Sequence, residues 1–327
     1  MKKQFVKELK AGDKLNDQFQ IVKCEVKTDK NGNNYLDMEL RDNSGNISGK
    51  LWKYQGQYDH LLNGDNPILF FKGSVESFNN NKQASIEAIA KPTEEPSLKD
   101  FLPHTQKDIE QMAAELHGII REIKNPSINK ILTAIFIDDT DYLSKFKICT
   151  GAKKLHHAFV GGLLEHTLSA VGFGRVIARY YPAINEELLL AGLMCHDIGK
   201  VFEFNHTTFE YTDEGNLMGH LVMSFWHVDE KIYELRRSGA ELDDEVVKQL
   251  LHIILAHHGK LEFGSPKLPA TLEAVVCNFV EDFDAKIEAF LKLESDNPQL
   301  YDATNAWLDK STLIFDNRKL YMRKINK

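Results

Sequence analysis

Cysteine is scarce: four in 327 residues (Cys24, Cys149, Cys195 and Cys277), widely scattered and with no C-x-x-C pair. That spacing excludes a zinc ribbon and favours reduced thiols in a cytoplasm over a disulfide framework. No apolar run approaches the roughly 20 residues that a membrane span needs, so no membrane partner is expected. The opening "MKKQFVKELKAGD" has lysines but no apolar segment behind them, which argues against a secretory signal. An excess of positive charge is also missing. The net charge of -8 excludes a protein that coats nucleic acid through bulk electrostatics, so any such contact needs a local patch or metal ions. Histidine is nearly absent from the first hundred residues: His60 stands there and twelve of the thirteen histidines follow. Because histidine is the commonest metal ligand and acid–base group, the chemistry is expected in the later part.

What the first part does contain is strand pattern. In "YLDMEL" (35–40), Leu36, Met38 and Leu40 alternate with polar residues. "NISGKLWKY" (46–54) follows the turn-forming Asp42-Asn43-Ser44-Gly45, which predicts a hairpin. "FQIVKCEVK" (19–27) supplies an earlier strand. "PILFFKGSVES" and "QASIEAIA", divided by Asn79-Asn80-Asn81, supply two more, and "QYDHLLNG" predicts a short helix ending at Gly64. Five strands with a helix between the third and fourth is the order of an OB-fold barrel. Lys50, Trp52 and Tyr54 alternate along the third strand, so they are expected on one face, a basic–aromatic set suited to holding phosphate and stacking bases. The alternative is that Trp52 plugs the barrel.

"KPTEEPSLKDFLP" (91–103) has three prolines, charge and no period, and is read as a linker. The expected organisation is a barrel over 1–92, a linker over 93–103 and a second domain over 104–327. Amphipathic stretches near 105–124, 160–180, 185–197, 217–236, 243–257 and 270–293 make that second domain an all-α helical bundle.

Several of these helices contain ligand-type side chains in apolar surroundings. His166 lies in "GGLLEHTLSAVGF", and His196-Asp197 interrupt "LLLAGLMCHDIGKVFEF". His220 lies in "GNLMGHL", His257 and His258 end "LLHIILAHH", and Glu281, Asp282 and Asp284 punctuate "EAVVCNFVEDFDAKIEAF". Singly, each reads more readily as a hydrogen-bonded core residue or a solvated face. Together they resemble the way bundles build metal sites, by inward convergence from several helices. Imidazole and carboxylate without thiolate select Mn, Fe, Co, Mg or Zn. Asp197 could bridge two ions about 4 Å apart that activate a water and clamp a phosphodiester. Lys200, one turn after His196, either offsets charge on a transferred phosphoryl group or is a solvated lysine at a helix end.

The ordered set His166, His196-Asp197, His220, His257 and a final acid resembles the HD-domain metal-dependent phosphohydrolases. "HHAFVGGLLEHTLSA", "LLLAGLMCHDIGKVFEF", "GNLMGHL", "ILAHHGKLEFGSPKLPATLEA" and "DFDAKI" are similar to successive blocks of the YhaM-type 3′→5′ exoribonucleases, across nearly the whole chain. That family also places an OB-type module before its HD domain. The resemblance implies His166, His196 and Asp197 as metal ligands, with His220 and His257 completing a second ion. It places Lys200 and His258 against the scissile phosphate. It implies one or two divalent ions, manganese foremost, and release of nucleoside monophosphates from the 3′ end of single-stranded RNA, with single-stranded DNA as a further substrate. Related enzymes also suggest a homo-oligomer.

One block departs from the pattern: where the family expects a final aspartate, this chain has Glu281, with Asn278 three residues before it. Either Glu281 closes the shell or Asp282 does after a rotation of the helix by about 100°. Two other readings stand beside the exoribonuclease: a phosphohydrolase of small nucleotides or cyclic dinucleotides, and a nucleic-acid-binding protein whose HD site has decayed.

Overall fold

The computed structural model describes residues 2–63, 67–78, 81–153, 156–301, 305–309 and 313–323. The expected helix end at Gly64 and the turn at Asn79-Asn80 lie outside them. The chain divides into two compact units, Met1–His104 and Thr105–Lys327.

The first unit is a closed five-stranded barrel in the order β1-β2-β3-β5-β4. Its strands are β1 (Lys14–Thr28), β2 (Asn34–Asp42), β3 (Gly45–Leu51), β4 (Ile68–Phe78) and β5 (Asn81–Ala90), with the short helix α1 (Asp59–Leu62) between the third and fourth. This is the OB-fold. Closure depends on the length of β1: residues 14–20 pair with β4, and residues 20–28 pair with β2, with a register shift between Ile21 and Lys23. β4 bends at a second shift, Lys72/Gly73. A Cβ on Gly73 would lie 2.0 Å from the Ser85 carbonyl oxygen, so only glycine lets the strands approach there. Leu36, Met38 and Leu40 all face the interior, with Phe19, Phe71 and Ile86. The stretch read as linker is attached in its second half. Asp100 accepts the Asn43 amide at 3.0 Å, Phe101 lies 5.3 Å from the Lys2 ammonium, and Phe101 and Leu102 are fully buried.

The second unit is a helical bundle: α2 (Ile109–Glu122), α3 (Pro126–Thr133), α4 (Thr140–Ile148), α5 (Gly162–Tyr180), α6 (Glu186–Cys195), α7 (Lys200–Glu203), α8 (Asp213–Met218), α9 (His220–Arg237), α10 (Asp244–Ala256) and α11 (Leu272–Asp296). Every residue of α6 from Leu188 to Cys195 is buried, as expected of a helix apolar all round. α5, α10 and α11 pack against it. Asn125, Asn185 and Asp243 cap α3, α6 and α10 through side-chain oxygens that accept backbone N–H groups. The unit is not purely α: β6 (Trp307–Leu308) and β7 (Leu320–Tyr321) pair near its end. Two-residue strands are too short to show a period in sequence. Among the described residues, no helix is long and apolar enough to cross a membrane.

Candidate metal centre

His196 ends α6, and Asp197 is the first residue of the turn that follows, so the apolar helix delivers both into the bundle's interior. That turn is pressed against the start of α9. Gly199 N–H donates to Ser224 Oγ at 2.8 Å, and a Cβ on Gly199 would lie 2.4 Å from the His220 carbonyl oxygen. The glycine therefore brings His220 opposite Asp197. α5 contributes His166 one turn after its start, and α10 ends at His257, whose carbonyl is held by Asn278 Nδ2 of α11 at 2.8 Å.

The carboxylate of Asp197 lies between two groups of imidazoles. Its Oδ2 is 3.3 Å from His196 Nε2 and 3.5 Å from His166 Nε2, while its Oδ1 is 3.4 Å from His220 Nε2 and 3.6 Å from His257 Nε2. His166 and His196 approach Nε2 to Nε2 at 3.1 Å, and His220 and His258 do so at 3.2 Å.

All five rings are held by the other nitrogen. Nδ1 donates to Asp284 from His166 at 2.7 Å and to Glu203 from His220 at 3.0 Å. It donates to the carbonyls of Leu193 from His196, Ile254 from His257 and Phe263 from His258, at 2.7–2.8 Å. In the neutral ring a proton on Nδ1 leaves a lone pair on Nε2, the tautomer that a metal requires. Lone pairs facing one another at 3.1 Å repel unless a cation lies between them. Ligand bonds of about 2.1 Å put neighbouring donor atoms about 3.0–3.4 Å apart, which is the spacing here. Asp197 Oδ1 and His257 Nε2 are also buried without a hydrogen-bond partner. The donor set therefore fits divalent metal on both sides of Asp197.

The electrostatics agree. Burial opposes charge on Asp197, but Lys200 and His196 outweigh it and hold the carboxyl well below its usual range. Burial opposes the Lys200 ammonium too; Asp197, 2.7 Å away, overcomes this and raises its pKa. Burial, then neighbouring histidines, pushes His257 well below its usual value. Burial, then the cation His220 would form, lowers His258 to about 4. Burial lowers His166 to about 4 although Asp284 opposes it, and burial with Lys200 lowers His156 to about 3.

These shifts predict an acid-labile fold once metal is chelated. Each such histidine takes up a proton near pH 6.5 when unfolded but only near pH 3–4 when folded, so stability is lost as pH falls across that window. Glu281 acts in the opposite sense. Burial, then Asp197, raises it to about 7, so its folded form gains stability as pH falls from 7 toward 4.5. His196 acts with Glu281, because burial lowers its pKa but Asp197 outweighs this and raises it. The lowered histidines outnumber these two. Thermal scans in chelator should show the midpoint dropping steeply from pH 6.5 to 4; a flat midpoint would contradict the buried neutral histidines.

The fold bears on three expected placements. His258 joins His220 and His257 in one ligand-type group instead of standing apart toward a phosphate, because Phe263 O turns its ring back. Lys200 is neither solvated nor open to a phosphate: it is buried, and its ammonium is shared between Asp197 and the Gly151 carbonyl at 2.7 Å. Asp282 pairs with Lys286 at 2.6 Å, whereas Glu281 acts electrostatically on His196 and Lys200. Two acids with roles here carry no distinguishing signal in the sequence. They are Glu203 behind His220, and behind His166 Asp284, which in sequence is one of the neighbouring acids Glu281, Asp282 and Asp284.

On the barrel, Lys50, Trp52 and Tyr54 do not share a face. Lys53 has φ of 57°, which breaks the alternation and turns Tyr54 into the core, where its hydroxyl bonds Asp59. Trp52 is 48% exposed, so it does not plug the barrel. It packs on Tyr35, with ring centroids 4.7 Å apart. The Lys50 ammonium lies 5.3 Å from the Tyr35 ring, 5.5 Å from Trp52 and 5.8 Å from the exposed Phe78. The basic–aromatic patch is Lys50 with Tyr35, Trp52 and Phe78.

Residues 163–286 match the HD domain, a metal-dependent phosphohydrolase family. The chain is 33% identical over 279 residues to the 3′-5′ exoribonuclease YhaM of Listeria welshimeri, covering 84% of this chain and 86% of that protein. It is 34% identical over 275 residues to YhaM of Bacillus subtilis, covering 83% and 85%. With YhaM of Bacillus licheniformis the match is 32% over 310 residues, 93% of this chain and 94% of the relative. An OB-fold barrel, an HD domain holding convergent histidines around one aspartate, and identity along most of both chains lead to one conclusion: the chain belongs to the YhaM family of 3′-5′ exoribonucleases.

Proposed function

We propose that the chain removes nucleoside monophosphates from the 3′ end of single-stranded RNA, and of single-stranded DNA as a second substrate, by hydrolysis at the Asp197 centre. The observation that carries this reading is the Asp197 carboxylate set between two groups of histidine Nε2 atoms. In it, His166, His196, Asp197 and Glu281 would hold one divalent ion, and His220, His257 and His258 with Asp197 would hold a second. Bound there, the ions supply a water of lowered pKa and positive charge for the phosphodiester oxygens. Lys200 keeps Asp197 ionised and fixes its rotation, since its buried ammonium has no other anionic partner as close as 2.7 Å among the described residues. Asp284 and Glu203 fix the tautomers of His166 and His220. Imidazole and carboxylate donors without thiolate suit Mn, Mg, Co, Fe or Zn, and the family resemblance puts manganese first among them.

Oligoribonucleotides labelled at the 5′ end, incubated with metal-stripped enzyme and added Mn²⁺, should shorten stepwise from the 3′ end. RNA binding without cleavage, or cleavage confined to small nucleotides, would overturn the reading.

The barrel patch would hold the strand. Base–aromatic stacking is worth about 1–3 kcal/mol per base, so Trp52→Ala should weaken binding of a long oligoribonucleotide about tenfold. Cleavage of dinucleotides should stay within a factor of about two, and Tyr54→Phe should leave RNA binding unchanged because Tyr54 is buried. Titrations by fluorescence anisotropy check both. An equal loss on long and short substrates would count against the strand-holding role.

A further inference from the structure

Beside the metal centre, α7, α8 and α9 enclose a cavity of about 420 Å³ that no step of the hydrolysis uses. It is lined by Phe202, Met218, Met223, Trp226 and His227, together with Glu214 and Glu230. We propose that it is a nucleobase subsite, seating a base of the RNA strand whose phosphodiester lies at Asp197; this rests on the exoribonuclease reading.

Position is the first argument. Phe202 precedes Glu203, the residue that holds His220 Nδ1, and Met218 stands two residues before His220. Met223 and Trp226 follow His220 on α9 by about 4.5 and 9 Å of helix rise. His227 stacks on Tyr142 at 4.4 Å, and the Tyr142 hydroxyl donates to the carbonyl of Ile198, which follows Asp197. The cavity is thus built from the same few turns that place the histidines.

Chemistry is the second. A flat ring suits walls of indole, phenyl and thioether, and Trp226 is 61% exposed, a large cost for a tryptophan that covers nothing. Among the described residues the lining has no lysine or arginine, so it does not fit a phosphate or the sugar–phosphate backbone. It does contain hydrogen-bonding groups for a base edge. Glu214 and Glu230 can accept from exocyclic amines, as carboxylates do from cytosine N4. His227 also lines the cavity and is 9% exposed. Burial, then Lys231, lowers His227 to about 4, so at neutral pH the ring is an uncharged part of the wall.

The test uses the full-length enzyme and a series of oligoribonucleotides, each abasic at one successive position from the 3′ end. In the wild type, loss of one particular base should lower kcat/KM about tenfold, the scale of a lost stacking contact. Trp226→Ala should lose about tenfold on intact RNA and no longer distinguish the intact strand from the one abasic at that position, while Trp226→Phe restores most of the loss. Because Trp226 is exposed, the alanine variant should keep the wild-type thermal midpoint. A variant with unchanged kcat/KM, or one that still responds to the missing base, overturns the subsite. So does a variant whose only change is in size-exclusion elution, which would make the cavity a seat for a second copy of the chain. Failure of the wild type to shorten any RNA would sink the exoribonuclease reading first, and the subsite with it.

Discussion

Asp197→Asn is expected to abolish phosphodiester hydrolysis and to strip metal from the purified protein. The substitution barely changes volume, so the argument is one of charge and donors. In the wild type each carboxylate oxygen serves one histidine group, with Oδ2 toward His196 and His166 and Oδ1 toward His220 and His257. An amide has one acceptor oxygen, and its NH₂ must face the other group, so one side loses its anion and gains a donor. Lys200 loses its partner as well. Removing one member of a buried ion pair costs about 3–5 kcal/mol. The bond to Gly151 O remains, so the lower end applies, a fall in midpoint of about 10 °C for a domain of this size in chelator. Elemental analysis, a labelled-RNA assay and a melt in chelator check the three parts. Near-normal, metal-dependent turnover would mean that Asp197 is not the centre of the site.

Asp197 and His196 were legible because two ionisable residues interrupt a run that is otherwise apolar on every side, and the fully buried α6 confirms that surrounding. The alternating Leu36, Met38 and Leu40 made the barrel equally plain. What escaped depended on contacts between elements. Tyr35 meets Trp52 because β2 and β3 pair Leu36 with Leu51, a register invisible in either strand alone. Tyr54 was misplaced because alternation assumes extended backbone, and Lys53 departs from it. The resemblance sets His258 apart from His257, toward the phosphate, and successive residues on a continuous helix would indeed point about 100° apart. Here the helix has ended, and carbonyls at Ile254 and Phe263 bring both rings to one centre. Glu203 and Asp284 look like ordinary acids of amphipathic helices; only the fold places them behind His220 and His166.

Asp284 therefore offers the second large effect: Asp284→Asn should raise the metal concentration needed for half-maximal activity by about 10–100-fold, with most of the rate recovered at saturating metal. Its Oδ2 accepts from His166 Nδ1 at 2.7 Å and from His157 Nε2 at 3.0 Å, and Oδ1 accepts from Ser169 Oγ. Burial opposes the charge on Asp284, but the hydrogen bonds from His157 and His166 outweigh it and hold the carboxyl below its usual range. Asparagine cannot serve all three donors, because its NH₂ must replace one of the two accepting oxygens. If the NH₂ faces His166 Nδ1, the proton moves to Nε2 and the ring can no longer bind metal from the side that faces His196 and Asp197. If it faces Ser169, the single oxygen still serves both rings but without the negative charge that made His166 a stronger base. Either arrangement weakens metal binding and leaves the other histidines in place, so excess metal restores the rate. The control lies two residues away. Asp282 pairs with Lys286 on the surface, a contact worth about 0.3–0.5 kcal/mol, and Asp282→Asn should leave the metal titration unchanged. Equal shifts in both variants would reflect the net charge of α11 and not the orientation of His166. A shift confined to Asp284→Asn would mean that a residue with no access to substrate sets how tightly the site holds its metal.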